Sequence, residues 1–95
     1  MRRSSRLELG VLEARTLGTA LELSGADPDV LVLVHELAEY TLRSETAVMR
    51  DVLLLESKGL LEFTAAADGV YVTEEACRWA EVLQTNQEAA GTALN

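Results

Sequence analysis

The strongest constraint on the fold is a punctuated run in the middle of the chain, Ser44 to Leu60, in which one helix is written from cap to cap. Ser44 suits an N-cap because its hydroxyl can accept from the orphan amides of a first helical turn, and Glu45 puts negative charge at the positive end of the helix dipole. Val48, Val52 and Leu55 then recur at helical spacing. The run stops at Lys58-Gly59, a cation in the last turn followed by a glycine able to take positive φ. Leu60 can close back onto Leu55 as the apolar contact of a Schellman-type cap, and Leu61 and Phe63 alternate as a strand begins. With Leu37-Ala38-Glu39 upstream, the stretch predicts helix, turn, helix, strand, the second helix covering 45–58.

The same residues resemble the winged helix-turn-helix of MarR-like and related bacterial and archaeal transcription regulators. That family's pattern runs Leu-Ala-Glu, a turn, Ser, a short recognition helix, then Leu-Glu-x-Lys-Gly-Leu. Here Leu37-Ala38-Glu39 match its second helix, Ser44 its N-cap, Val48, Arg50 and Val52 its recognition helix, and Leu55-Glu56-Ser57-Lys58-Gly59-Leu60 its exit, without a gap. The likeness covers roughly a third of the chain closely and about two thirds loosely, and such a pattern specifies a fold better than an activity. It implies a mainly helical α+β domain ordered helix, helix, recognition helix, β-hairpin wing, helix, binding double-stranded DNA in gene regulation.

On a helix stepping about 100° per residue, the side away from Val48, Val52 and Leu55 presents Thr46, Met49, Arg50, Leu53 and Ser57. In the DNA-binding reading Arg50 bonds a guanine edge in the major groove, Thr46 touches a base or thymine methyl, and Arg43 and Lys58 hold phosphates, with Ser44 and Met49 in the same interface. The structural alternative has Arg50 paired with an acid or solvated.

Around this core the remaining elements read in order. Residues 2–6 form a basic arm, either a phosphate or groove contact or a solvated terminus. Residues 7–24 predict a first helix with apolar positions on two sides, Leu7, Val11, Ala14 and Leu21 on one and Leu9, Leu12, Ala20 and Leu23 on the other. Gly10 and Gly18 weaken such a helix by about 1 kcal/mol each relative to Ala, yet admit a close backbone, as at a subunit contact. Asp27-Pro28-Asp29 reads as a helix start, with Asp27 as N-cap and Pro28 at the first helical position. The β-branched run Val30 to Val34 competes as a buried strand, but the proline start and the continuation through Tyr40 favour a helix of about three turns. Leu60 to Thr64 and Val70 to Thr73 form the wing, joined by Ala65 to Gly69, where Asp-Gly can supply positive φ. Thr73 caps a final helix through Glu88, and 89–95 form a tail. The domain thus spans 7–88, and its first and last helices are the expected homodimer surface.

Charge argues against the DNA reading. The chain carries net −8, and beyond Arg2, Arg3 and Arg6 there remain five basic and sixteen acidic residues, or −11. DNA affinity comes mainly from Lys and Arg neutralising phosphates, so an acidic body lacks the usual footprint. Leu53 and Leu54 stand where the family shows polar residues, and Asp51 where it often has an aliphatic one. The wing tip offers only Asp68, and Thr41-Leu42-Arg43 lacks the family's turn glycine. Met49, Leu53 and Leu54 then form an apolar strip rimmed by acids, the mark of a protein-docking surface. The alternative function is therefore an acidic winged-helix interaction module, an adaptor or a phage or mobile-element inhibitor.

Other classes find little support. There is no Gly-rich phosphate loop, no His or Cys cluster and no nucleophile with a base partner, so no enzyme, cofactor or metal site is expected. Cys77 and His35 each stand alone of their kind and read as structural residues. No run reaches the roughly eighteen apolar residues of a membrane span, and the segment after Met-Arg-Arg-Ser-Ser-Arg is too mixed for a signal peptide, which predicts a cytoplasmic protein.

Overall fold

The central helix forms where its caps place it. In the computed structural model, which describes residues 9–81, α3 spans Glu45–Ser57 and Ser44 accepts at 3.1 Å from the Ala47 amide. Gly59 takes φ 78, which an L side chain adopts only under strain. Its amide donates to Glu56 O at 2.9 Å and that of Leu60 to Leu55 O at 2.9 Å, the paired bonds of a Schellman motif, with Leu55 and Leu60 both fully buried.

The other elements are α1 (Val11–Ser24), β1 (Val32–Leu33), α2 (Val34–Thr41), β2 (Leu61–Thr64), β3 (Gly69–Val72) and α4, which runs from residue 74 to the end of the described residues at 81. The domain is mainly helical with one small antiparallel sheet of order β1-β3-β2, a winged-helix arrangement in the expected order. Its core joins Leu17 and Leu21 of α1, Leu37 of α2, Val52 of α3, Val72 of β3 and Ala76 of α4. Among the described residues no helix is long and apolar enough to cross a membrane. The basic arm, Leu7, residues 82–88 of the expected final helix and the 89–95 tail lie outside them.

The second helix is shorter than the proline start suggests. Asp27 caps no helix; its carboxylate accepts from the Asp29 amide at 2.9 Å and its carbonyl from Val30 at 3.2 Å, closing a turn. The β-branched run then becomes β1, because Val32 pairs with Val70 and sits 1% exposed in the core. Helix α2 starts only at Val34, where Glu36 Oε1 accepts from the Leu33 amide at 3.1 Å. The strand competitor wins over residues 32–33 because the hairpin offers it a partner, and no local signal announces that partner.

Helix α1 also differs from expectation. It starts at Val11, with Gly10 as its N-cap, and buries Thr16, Leu17, Ala20, Leu21 and Ser24. Of the two expected apolar sides, Leu21 of one and Ala20 of the other are buried and Leu9 and Leu23 pack against the core, whereas Val11 is 84% and Leu12 49% exposed. Two hydroxyls can share the inward stripe because both are bonded, Ser24 to Leu21 O and Thr16 to Asp51. Among the described residues nothing lies within 4 Å of a Cβ added at Gly18, so none of their backbone uses the close approach it permits.

In the hairpin the positive φ belongs to Asp68, at 53°, and the glycine serves another purpose. A Cβ on Gly69 would stand 2.8 Å from both Val32 O and Leu31 Cδ1, because β1 crosses β3 closely here. Gly69→Ala should therefore destabilise by about 1–3 kcal/mol through forced backbone displacement. Urea denaturation measures the loss, and amide exchange should show it concentrated at the Val32–Val70 pair. Thr73 then joins wing to final helix: its Oγ1 accepts from the Ala76 amide at 3.1 Å and donates to Gly59 O at 2.7 Å.

The turn between α2 and α3 closes without glycine because Leu42 itself adopts φ 58, ψ 43. That left-handed conformation costs an L residue about 1–2 kcal/mol. Leu42 is also 86% exposed, so burial of its side chain offsets little of the strain.

Candidate recognition-helix interface

The inward face of α3 contains one residue that ought not to be there. Val48, Val52 and Leu55 are fully buried, and Asp51, one turn from each end of that stripe, is only 5% exposed. A buried carboxylate is costly unless paired. Arg43 provides the pairing, with Nη1 2.5 Å from Asp51 Oδ2 and 3.1 Å from Thr16 Oγ1, while Thr16 donates to the same Asp51 oxygen at 2.9 Å. Arg43 Nη2 also reaches Ala47 O at 3.4 Å. This closed triangle ties α1, the turn and α3 together where an aliphatic contact would otherwise serve.

The triangle changes the reading of the site residues. Arg43, expected to hold phosphate, has its side chain 16% exposed and its guanidinium engaged inside the fold. Lys58, the other expected phosphate ligand, stands 2.9 Å from Glu13 and pins the end of α3 to the start of α1. The Ser44 hydroxyl is used as the cap. Met49 is half-buried against the core, so the exposed apolar strip reduces to Leu53 at 53% and Leu54 at 42%. Thr46 and Arg50 are exposed on the outward face as expected, and no hydrogen bond or ion pair joins Arg50 to another described residue.

Electrostatics follow from this usage. Residues 9–81 contain five cations, of which Arg43, Lys58 and Arg78 are in ion pairs, the last with Glu75 at 2.6 Å. Arg15 and Arg50 remain, against eleven carboxylates outside those pairs. On α3 itself Glu45 and Glu56 flank Arg50 in sequence and are exposed. The wing tip, Ala65 to Asp68, is exposed and carries only the Asp68 charge.

An open groove of about 630 Å³ lies at the corner of α2 and α3, lined by His35, Ala38, Glu39, Leu42, Arg43 and Glu45. Sequence reading missed it. Its signal was the absent turn glycine, which left a leucine standing at the corner. His35, expected as a structural residue, is exposed on its edge.

Cys77 is half-buried in α4, its Sγ 3.1 Å from Ala26 O. Burial, with the carboxylates of Asp27, Glu74 and Glu81, pushes its thiol above the usual range, which keeps it protonated and weakly nucleophilic near neutral pH. Among the described residues no group of three His, Cys, Asp or Glu side chains could hold a metal ion. Comparison with known proteins adds no relative: no family model, no curated protein and no solved structure matches the chain.

Proposed function

We propose that this domain is a protein-docking winged helix that works through the outward side of its helix-turn-helix. The observation that carries this reading is the internal use of Arg43 and Lys58, the two cations that would hold phosphate beside α3. Arg50 is the one cation of α3, so phosphate neutralisation by that helix alone would give a salt dependence of slope about −1, far below the slopes of duplex binders making several phosphate contacts. Leu53 and Leu54 supply instead the exposed apolar area that protein partners cover. A cytoplasmic location belongs to the same proposal, as does pairing of two copies through α1 and α4, which the exposed Val11 and Leu12 favour.

DNA binding in gene regulation, through a MarR-like use of α3, is the second reading, favoured by one observation: Arg50 stands on the outward face without an ion pair to any described residue, where a major-groove contact would need it. Fluorescence anisotropy with a random duplex of about 30 base pairs, titrated from about 25 to 200 mM salt, separates the two. No binding at the lowest salt is the expected result. Binding that fades with a clear slope would overturn the docking reading, and Arg50→Ala should then cost about 1–3 kcal/mol and relax preference at one base. In the docking reading Arg50→Ala is tolerated, and Leu53→Glu removes whatever protein the wild type retains.

A further inference from the structure

The corner groove combines an exposed apolar corner, a small residue at its floor and an acidic rim. It follows the stripe His35, Ala38, Glu39, Leu42 at i, i+3, i+4 and i+7 of α2 and its cap, with the small Ala38, 8% exposed, at the bottom between larger exposed neighbours. Leu42 is at once strained and 86% exposed, although a glycine would remove the strain and expose no apolar surface. The rim carries the exposed carboxylates of Glu39 and Glu45, while the Arg43 charge beneath is already matched by Asp51.

We propose that this groove docks a cationic amphipathic segment of another protein, an apolar side chain resting on Leu42 and Ala38 and a Lys or Arg bonding Glu39 and Glu45. The proposal rests on the protein-docking reading and names the class of its partner. Charge selects the occupant: the body of a second copy, −11 beyond Arg2, Arg3 and Arg6, and duplex DNA, a polyanion, are both repelled by this acidic rim where a basic segment is attracted. Apolar anchors at i, i+3 and i+4 with basic residues between them fit a helix lying in such a groove.

The test uses three synthetic peptides of about fourteen residues, one with Leu at helical spacing among Lys, one with Lys replaced by Glu, and one with Leu replaced by Ser. The full chain should bind the Leu/Lys peptide, weaken on the Ser/Lys peptide and ignore the Leu/Glu peptide. Leu42→Gly leaves the charge unchanged and suits the backbone at φ 58, so it should melt no lower than wild type yet bind the Leu/Lys peptide about tenfold more weakly, as expected for loss of a central anchor. Glu39→Lys with Glu45→Lys should have a similar effect. Undiminished binding by the Leu42→Gly variant would overturn the groove assignment, reducing the attraction to diffuse charge. If Leu53→Glu abolishes binding and Leu42→Gly does not, docking stands and the groove falls. Binding of the random duplex with none of the peptides would remove both.

Discussion

Asp51→Ala should cost about 3 kcal/mol of folding stability, near the lower end of the 3–5 kcal/mol seen when one partner of a buried ion pair is removed. The carboxylate side chain is 7% exposed and the Arg43 side chain 16%, so the guanidinium left behind keeps some access to water, which places the loss at the lower end. Thr16 Oγ1 loses an acceptor in the same step. The loss is large for a domain of this size, whose total stability is expected to lie between about 5 and 15 kcal/mol. Replacing both charges, as Arg43→Met with Asp51→Leu, should recover most of it, because a hydrophobic pair of similar volume is often as stable as a buried ion pair. Denaturation followed by circular dichroism gives both numbers. A loss below about 1 kcal/mol for Asp51→Ala would mean that the triangle contributes no more than a surface pair.

Leu55→Ala should cost about 3–4 kcal/mol, whereas Leu54→Ala beside it should cost less than about 1 kcal/mol. Leu55 is fully buried, and its carbonyl accepts the Leu60 amide that closes the Schellman cap. Truncation removes transfer free energy and leaves a cavity in a core too tightly packed to collapse onto it. Leu54 is 42% exposed and loses little on truncation. Midpoints in urea measured for both variants decide the matter. Comparable losses would mean that Leu54 is covered in solution, which a stable homodimer over this face would produce. Concentration dependence of the midpoint would identify that case.

Sequence and structure agree best where the determinants are local. The start of α3 at Ser44 and its end at Gly59 depend on a hydroxyl, a glycine and an apolar pair within a few residues of one another, and all are used as expected. Thr73 as the cap of α4 belongs to the same class. The outward position of Thr46, Arg50 and Leu53 follows from helical period alone.

Asp51 marks the boundary between the two kinds of information. Its place on the stripe with Val48, Val52 and Leu55 already demanded a buried partner, so the need for a cation was legible. That the partner is Arg43, with Thr16 thirty-five residues from Asp51 closing the triangle, required α1 to be packed against α3. The same packing took Lys58 out of the candidate interface by bringing Glu13 to it.

The caps of α3, its length, the outward position of Arg50, the hairpin that follows and an acidic surface were all legible along the chain, because each depends on near neighbours or on composition. Packing was needed to settle that Val32 joins a sheet instead of extending a helix, that Thr16 and Leu17 form the inward face of α1, and which cations of the described residues are engaged in ion pairs. Those outcomes depend on partners brought close by packing, whose pairing energies exceed the sub-kilocalorie differences in local propensity that a linear reading weighs.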